Sequence, residues 1–453
     1  MRDVLVKTEE FKDSPVGRIP KDWDVKTLRE LSVSGISNGF FKKPELVGSG
    51  YPLVNVFDLY QDFGINLSLV ERVNATAQEQ SKYAIQPGDC FFTRSSLVLS
   101  GIAHCNIIRD VPEPALFECH LMRVRPDKSQ LIPEFLALWC RSSWARKFLM
   151  SRAKQVTMTT ISQPDIAPLP VPLPPKKEQQ RIAEILDTVD EAIARTSSLI
   201  TKLKQIKAGL LHDLLTRGLD ENGHLRDPQA HPEQFKDSPL GRIPKDWAVE
   251  QFGEYITHLD SGWSPICEAE PAANGEWGVL KTTAVVWSGY NPSENKKLPS
   301  NLQPRYQAVV ETDDILITRK GPRERVGVVV HIPSTPPNLI IPDTVFRVRL
   351  KESRTLLPAF MPLTLYSVAV QRDWNRKKIG LAEAQVDINY GIVRETIIHI
   401  PPKPEQERII KILDTYHTRI RAEEAYLNKL KLHKQGLMHD LLTGKVRVRN
   451  TKN

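Results

Sequence analysis

The strongest constraint on the fold of this chain is an internal repeat. Three segments occur twice with one or two substitutions each: 11–23 and 235–247, 174–182 and 401–409, and 209–216 and 436–443. The chain is therefore a tandem duplication. Between the repeated segments lie two stretches, about 33–172 and 257–399, that are largely unlike each other. A common framework around two different inserts is the arrangement that we expect of a protein that reads two different targets with one scaffold.

Length and composition limit the number of domains and the classes of protein to which the chain can belong. At 453 residues the chain is long enough for about two to four domains, each with its own apolar core. Its five cysteines form an odd set without C-x-x-C spacing, which favours reduced thiols in a cytoplasmic protein. It has no apolar signal core at its amino terminus and no apolar run long enough to cross a bilayer. The net charge of +8 permits DNA binding and does not establish it.

A narrow apolar stripe follows each copy of the second repeated segment. The stripe comprises Ile182, Leu186, Val189, Ile193, Ile200 and Leu203 in the first copy, and Ile409, Leu413, Tyr416, Ile420, Leu427 and Leu430 in the second. The alternating spacing of four and three residues predicts two long helices, 176–215 and 403–442, that form a coiled coil with each other. The alternative is that each helix packs on its own globular domain.

Link lengths determine the expected direction of the two helices. The second variable stretch begins within about twenty residues of the end of the first helix and directly precedes the second helix. Antiparallel pairing needs only short links, whereas parallel pairing would need a return path along the helices. We therefore predict antiparallel helices related by a pseudo-twofold axis, with the chain termini close together. The predicted division is a first variable domain at 1–172 (with the repeated segment 11–32), a first long helix at 173–218, a linker at 219–234, a second variable domain at 235–399, a second long helix at 400–444 and a tail at 445–453.

Both variable stretches have the pattern of a mixed α/β (α+β) domain. Residues 88–94 in the first and 313–319 in the second are β-rich. An Arg-Val-Arg triplet follows at 123–125 and at 347–349, at nearly the same offset. These weak similarities predict one fold that carries two different surfaces.

The repeated segments resemble those of a known family. The run Leu-Pro-Pro-Lys-Lys-Glu-Gln-Gln-Arg-Ile-Ala-Glu-Ile-Leu-Asp ends at Asp187, and its counterpart ends at Asp414. Together with the two Gly-x-Ile-Pro-x-x-Trp segments, these runs are similar to the specificity subunit of type I restriction-modification systems. The similarity covers essentially the whole chain.

This resemblance implies a function in phage defence by DNA restriction and methylation. It implies two target-recognition domains, each of which reads one half of an interrupted, asymmetric site in double-stranded DNA. It also implies that the long helices dock two methyltransferase subunits that act on adenine N6, and that motor-nuclease subunits bind in the full complex. Such a complex uses S-adenosylmethionine, ATP and Mg²⁺, none of which we expect this chain to bind by itself.

Motifs for catalysis are missing from the sequence. It has no Asn/Asp-Pro-Pro-aromatic motif, no Gly-rich cofactor loop that opens a helix and no Walker lysine loop. We therefore predict no catalytic residue and no metal site. The alternative is a zinc site built from His104, Cys105, Cys119 and His120 with Cys90, but this spacing matches no common ligand pattern and core thiols are favoured.

Basic clusters in the second variable stretch are the clearest candidates for DNA contact. The segment 318–325 lies between two β-like runs, which predicts a basic loop at the tip of a hairpin. Arginine forks suit guanine edges and phosphates. The candidates are Arg319, Lys320, Arg323 and Arg325, with Arg376, Lys377 and Lys378 as a second cluster that contacts phosphate. The structural alternative is a solvated charged turn.

Candidates in the first variable stretch depend mostly on the family resemblance. They are Lys42, Lys43, Arg94, Ser95, Ser96, Thr157, Thr159 and Thr160. Hydroxyls and cations can contact phosphates and base edges, although each of these short runs would be unremarkable on any protein surface.

Two functions of other classes are open at this stage. The first is a coiled-coil adaptor whose twin domains bind proteins, which would show no salt-sensitive retention of duplex DNA. The second is a self-sufficient nuclease, which the missing catalytic motifs disfavour.

Overall fold

The structure is a computed structural model of the chain, and it describes residues 5–8, 10–61, 63–155, 157–352 and 355–448. Val156, which opens the predicted hydroxyl run, and residues 449–453 of the predicted tail lie outside the described residues. Contacts divide the chain into a first unit, Met1–Leu199 with Glu423–Asn453, and a second unit, Ile200–Ala422. Each long helix is shared between the two units, so each unit contains one part of both helices.

The first unit is built on a four-stranded antiparallel sheet. The strand order is Cys105–Ile107, Cys90–Thr93, Leu121–Pro126 and Ser32–Asn38. Side chains alternate between the two faces of a strand. Phe92 lies in the core that includes the helix Pro133–Cys140, whereas Phe91 lies in a separate core. Because both faces are covered, the strand from Cys90 to Thr93 is buried at every position.

The second unit contains a sheet of the same topology. Its strand order is Val329–His331, Ile315–Thr318, Val345–Leu350 and Ile256–Ser261. Here Ile315 and Ile317 lie in one core and Leu316 in another, as in the equivalent strand of the first unit. The prediction that the two variable stretches share one fold is confirmed.

The Arg-Val-Arg triplets have a structural role. Both lie on equivalent strands of the two sheets. Arg125 Nε donates to Asp89 Oδ1 at 2.7 Å, and Arg349 Nε donates to Asp314 Oδ1 at 2.8 Å. The two carboxylates are buried and therefore need a charged or hydrogen-bonding partner. Each triplet thus ties its strand to the turn that precedes the neighbouring strand.

The remaining elements are short, and the repeated segments form equivalent ones. In the first unit they are the helices Ala77–Tyr83, Ser143–Met150 and Gln163–Ile166 and the strands Leu5–Lys7, Phe11–Lys12, Ile19–Pro20, Asp24–Thr27, Val47–Val54, Glu71–Val73, Leu116–Phe117, Pro170–Leu173 and Val446–Val448. In the second unit they are the helices Met361–Leu365, Val368–Lys377 and Tyr390–Arg394 and the strands Phe235–Ser238, Gly241–Pro244, Ala248–Gln251, Gly278–Leu280, Val285–Val286, Gly289–Tyr290, Asn295–Lys297, Leu339–Ile340 and Ile397–Ile400. Within the described residues, no helix combines the length and the apolar character needed to span a membrane.

The two long helices are antiparallel. They run from Lys176 to Thr216 and from Lys403 to Leu442, which confirms the predicted ranges to within one residue. In the first unit, Leu186 shares a core with Leu441, and in the second unit Leu413 shares a core with Leu214. The amino-terminal part of each helix therefore packs with the carboxyl-terminal part of the other. The predicted direction of the pair is confirmed.

The predicted apolar stripe lies along the buried side of the helices. Its buried members are Ile182, Leu186, Val189, Ile200, Leu203, Ile409, Leu413 and Ile420, and its half-buried members are Ile193, Tyr416, Leu427 and Leu430. An ion pair adds to the apolar contact in the first unit, where Lys434 Nζ lies 2.5 Å from Asp190 Oδ1. The cores that contain Leu186 and Leu413 also include residues of the globular parts. The helices therefore pack both on each other and on the globular parts, which combines the two alternatives.

A buried glutamate near the start of each long helix explains part of the repeat. Glu178 accepts a hydrogen bond from Trp23 Nε1 at 3.3 Å and from Arg447 Nη2 at 2.6 Å. Glu405 accepts from Trp247 Nε1 at 3.1 Å and from Arg226 Nη1 at 2.8 Å. In both units the arginine comes from the chain that follows the opposite long helix.

The first and last described segments of the chain pair with each other in the first unit. The strand Leu5–Lys7 pairs antiparallel with Val446–Val448, in register from Leu5 opposite Val448. This pairing confirms the expectation that the termini lie close together.

Candidate nucleic-acid interface

Each unit has a small three-stranded sheet that contains several of the predicted DNA-contacting residues. In the first unit its order is Lys154–Gln155, Thr159–Thr160 and Ser95–Ser96, and in the second it is Ile379–Ala382, Gln385–Asp387 and Lys320–Gly321. The hydrogen bonds beside the two sheets are also equivalent. Ile161 N donates to Arg94 O, and Ile388 N donates to Arg319 O, both at 3.0 Å. The same position in the two units therefore carries different side chains.

The basic segment of the second unit lies in the predicted hairpin but is not a free loop. The strands Ile315–Thr318 and Val329–His331 pair antiparallel, as expected. Between them, Lys320–Gly321 is an outer strand of the small sheet and Arg323–Arg325 forms a short 3₁₀ turn. The sequence did not reveal this strand because its partner, Gln385–Asp387, is distant along the chain.

Arg319 is held by the protein. Its Nη2 lies 3.1 Å from Asp387 Oδ2, and its guanidinium lies 4.7 Å from the centroid of the Phe346 ring. The side chain is only 16% exposed. These contacts use Nε, Nη2 and one face of the guanidinium, so Arg319 is less available to a base or phosphate than an arginine without an ion pair.

Arg323 joins the two predicted basic clusters. Its Nε donates to Glu383 Oε2 at 2.7 Å, and its Nη1 donates to the carbonyl oxygen of Asn375 at 3.1 Å. Lys378 Nζ in turn donates to the carbonyl oxygen of Arg323 at 2.8 Å. Burial and the nearby Arg323 charge lower the pKa of Lys378. The structure therefore brings the segments 318–325 and 372–378 together.

The most available cations of this surface are Lys320, Arg325 and Arg376. Within the described ranges, none of these three side chains has an ion pair, and Arg325 and Arg376 are exposed. Lys377 differs from them because its Nζ lies 2.8 Å from Asp373 Oδ2, one helical turn away. A polyanion would displace less existing structure at the three unpaired cations than at Arg319 or Arg323.

The first unit places its candidates around His120. Arg94 is exposed, and its Nη1 donates to the carbonyl oxygen of Cys119 at 3.4 Å. The Oγ of Ser95 lies 2.9 Å from His120 Nδ1. Phe40 O accepts from Cys119 N at 2.8 Å, so the segment before Lys42 lies beside the same turn. His120 is exposed, and the sequence analysis did not count it among the DNA-contacting candidates.

The hydroxyl run of the first unit alternates in exposure. Thr157 and Thr160 are exposed, whereas Thr159 is only 5% exposed. Thr159 and Thr160 are neighbours on one strand, and successive side chains of a strand point to opposite faces. The run therefore offers Thr157 and Thr160 to a ligand and keeps Thr159 inside.

Lys42 and Lys43 are also unequal. Lys42 Nζ lies 2.7 Å from Glu71 Oε2, so its charge is partly neutralised. Lys43 is exposed and precedes the short 3₁₀ turn Pro44–Leu46. Of the pair, Lys43 is the more available cation.

The residues of the alternative zinc site are spread over different environments. All five cysteines are free, and Cys90 and Cys105 lie in the first unit's core with Cys140. His104 stacks on Tyr60, and burial together with the charges of two nearby arginines lowers its pKa to about 4. These placements confirm core thiols for Cys90 and Cys105.

Cys119 and His120 lie apart from that core, in a turn with Glu118. Leu121 N donates to Glu118 O at 3.0 Å and closes the turn. His120 Nε2 lies 3.6 Å from Glu118 Oε1, and the other ring nitrogen faces Ser95. These contacts tie His120 to Glu118 within the turn and to Ser95 beside it. The absence of a metal site in this chain stays a prediction.

Comparison with known proteins identifies the family. A family model described as the type I restriction modification DNA specificity domain matches residues 20–205 and 247–432. The chain belongs to this family. It is thus a specificity subunit with two recognition domains, of a class that is not itself catalytic.

Curated relatives of this type I specificity family match either nearly the whole chain or about half of it. The chain is 27% identical to the putative type I restriction enzyme MjaX specificity subunit of Methanocaldococcus jannaschii, over 98% of both chains. It is 33% identical to the EcoEI specificity subunit of Escherichia coli over 49% of this chain and 36% of that protein. The fold is similar to that of the S subunit from M. genitalium, with a TM-score of 0.57 at 14% identity over 97% of this chain and all of that one.

A second solved structure shows the same fold. Its report concerns complex assembly and conformational transition of the type I restriction-modification system, and the TM-score is 0.54 at 16% identity. The alignment covers 94% of this chain and 99% of that chain. The two matched specificity segments, 20–205 and 247–432, each contain one of the small sheets described above.

Proposed function

We propose that this chain recognises an interrupted, asymmetric sequence in double-stranded DNA, with one unit reading each half. One observation carries this proposal: the two units share a fold, yet the equivalent small sheets carry Ser95–Ser96 in one and Lys320–Gly321 in the other. Two units that share one fold but present different side chains are suited to the recognition of two unlike half-sites. Membership of the specificity family supports DNA as the target.

Charge supports a polyanion at the second unit. The side chains of Lys320 and Arg325 lie on or beside the small sheet and have no ion pair among the described residues. Arginine binds guanine O6 and N7 with two hydrogen bonds, and both residues suit phosphate. Phosphate contacts release counterions, so binding to duplex DNA should fall steeply with salt. A protein adaptor without a DNA site would not show this dependence.

We also propose that the repeated framework docks two copies of one partner, the adenine-N6 methyltransferase subunit. The segments 11–23 and 235–247 are identical at exposed positions such as Asp13 and Asp237, or Lys21 and Lys245. A shared fold explains identical buried residues, whereas exposed substitutions change stability little, so stability alone does not keep the exposed positions identical. The full complex would use S-adenosylmethionine, ATP and Mg²⁺, and motor-nuclease subunits would complete it.

Mapping of methylated adenines in the source genome tests this function. The expected result is one motif with two unlike halves and an unread gap, with the centres of the halves about one helical turn, roughly 34 Å, apart. The half-sites then face the same side of the duplex. A single uninterrupted motif would contradict the two-reader proposal.

Replacing Lys320 and Arg325 together by Ala should impair the reading of one half-site only. Loss of a bidentate arginine costs about 1–3 kcal/mol of discrimination, and loss of a phosphate contact reduces the salt dependence. The measurement is methylation of a library in which each half-site is randomised in turn. The sequence also pointed to Arg319 and Arg323, but their ion pairs with Asp387 and Glu383 make them unsuitable for this test.

Lys296→Ala provides the control for this double variant. Lys296 is exposed in the second unit and lies on the strand Asn295–Lys297, outside the small sheet. Its removal should leave both half-sites unchanged. If the double variant reads both halves as well as the control does, the small sheet of the second unit is not part of the interface.

A further inference from the structure

The hairpin loops that lead into the two small sheets are closed by the same hydrogen bonds. In the first unit, Thr93 Oγ1 donates to Gly101 O at 2.8 Å and accepts from His104 N at 2.8 Å. In the second unit, Thr318 Oγ1 donates to Arg325 O at 2.5 Å and accepts from Val328 N at 2.9 Å. The loops therefore start and end at equivalent points of equivalent sheets.

The tips of these equivalent loops have opposite chemistry. In the second unit, residues 320–325 carry three cations and one carboxylate. In the first unit, residues 95–101 carry no charge, and two aliphatic side chains face the solvent: Leu97 is 85% exposed and Val98 is 58% exposed. A single exposed aliphatic side chain needs no explanation, but two neighbouring ones lie here where the other unit presents cations.

Side-chain hydrogen bonds from other segments hold the loop of the first unit in place, so the fold itself exposes Leu97 and Val98. The Tyr60 hydroxyl donates to Gly101 O at 2.6 Å, and Arg146 Nη2 donates to Ser100 O at 2.9 Å. A Cβ at Gly101 would lie 2.3 Å from Ser96 Oγ and 2.9 Å from Tyr60 Oη, so a larger residue there would require these side chains to move. A braced loop can present Leu97 and Val98 to a ligand with little further loss of conformational entropy.

The surroundings of the aliphatic pair favour a nucleic acid over an apolar protein surface. Arg94, Ser95 and Thr160 lie on or beside the same small sheet and supply a cation and hydroxyls. The major groove offers hydrogen-bonding groups and one apolar group, the C5-methyl of thymine. Aliphatic side chains next to hydroxyls and an arginine match that combination.

We propose that Leu97, together with Val98, contacts the C5-methyl group of a thymine in the half-site that the first unit reads. This inference rests on the proposed function and specifies the base chemistry of one half. The second unit, with cations at the equivalent place, reads its half without such a contact.

Replacement of thymine by deoxyuridine tests the contact, because it removes only the methyl group. The full-length chain in complex with its methylating partner is titrated with duplexes that carry its mapped site, in which each thymine is replaced in turn. At one thymine of one half-site, the replacement should weaken binding about fourfold, as expected for the loss of one buried methyl-sized group. The variant Leu97→Ala with Val98→Ala should bind the two duplexes equally at that position.

Ile266→Ala is the matched control, since Ile266 is 93% exposed in the second unit and lies outside both the small sheet and the long helices. It should keep the fourfold preference for thymine, and both variants should unfold at the wild-type temperature. The inference is overturned if no replacement weakens wild-type binding, or if the preference survives in the Leu97 and Val98 variant. A complex that binds no specific duplex at all would instead overturn the proposed function.

Discussion

Glu405→Ala should lower the free energy of unfolding by about 3–5 kcal/mol, the usual cost of removing one partner from a buried ion pair. Glu405 is 2% exposed and accepts hydrogen bonds from Trp247 Nε1, Arg226 and the backbone N of Leu219. The alanine variant leaves a guanidinium that is only 12% exposed without its buried partner. It also leaves the indole N–H of Trp247 without an acceptor. Urea unfolding followed by circular dichroism measures the effect.

Asp246→Ala is the control for the glutamate variant, because it removes the other carboxylate that contacts Arg226. Asp246 is 50% exposed, and its Oδ2 lies 3.1 Å from Arg226 Nη2. An exposed ion pair contributes about 0–1 kcal/mol, so this change should cost much less. Equal costs for the two variants would show that the buried network does not anchor the start of the second long helix.

The equivalent change in the first unit should behave in the same way. Glu178 accepts from Trp23 Nε1 and from both Arg447 Nε and Arg447 Nη2. These hydrogen bonds and the charges of Glu178 and Asp22 raise the pKa of Arg447. A cost for Glu178→Ala similar to that for Glu405→Ala would show that the two copies of the framework are energetically equivalent.

Leu186→Asp should disrupt the packing between the two long helices in the first unit. Leu186 is fully buried in a core that includes Leu437 and Leu441 of the other long helix. Truncation of a buried leucine alone costs about 2–5 kcal/mol, and an unpaired carboxylate adds a desolvation cost. We expect loss of cooperative thermal unfolding and, if the helices dock the proposed methyltransferase subunits, loss of that assembly. Leu413→Asp should have the same effect in the second unit, where Leu413 is 2% exposed.

Leu432→Asp separates the effect of position from the effect of charge. Leu432 is 70% exposed on the second long helix, and an aspartate there remains in water. It should leave the unfolding temperature close to that of the wild type. A wild-type melting curve for Leu186→Asp, or equal destabilisation by both aspartates, would contradict the packing of the two helices through the predicted stripe.

The framework could be predicted from the sequence because its signals are local or repeated. The four-three spacing of apolar residues around Leu186 and Leu413 places them on one face of a helix. The short link after Thr216 restricts how two such helices can pair. The duplicated Trp and Glu positions become Trp23 with Glu178 and Trp247 with Glu405 in the structure. Periodicity and repetition need no knowledge of distant contacts, so one sequence is enough to read them.

The available residues of the candidate interface could not be identified from local sequence patterns, because the contacts that distinguish them join distant parts of the chain. Asp387, which holds Arg319, is 68 residues further along the chain, and only the pairing of distant strands brings them together. Sequence alone therefore gives Arg319 and Arg325 the same prediction, whereas in the structure Arg319 has an ion pair and Arg325 has none among the described residues. The sequence by itself determined the duplicated framework, the antiparallel helices and the family. Tertiary structure alone decided which candidate side chains are buried or ion-paired and which are exposed, because burial and ion pairing are set by residues far apart in sequence.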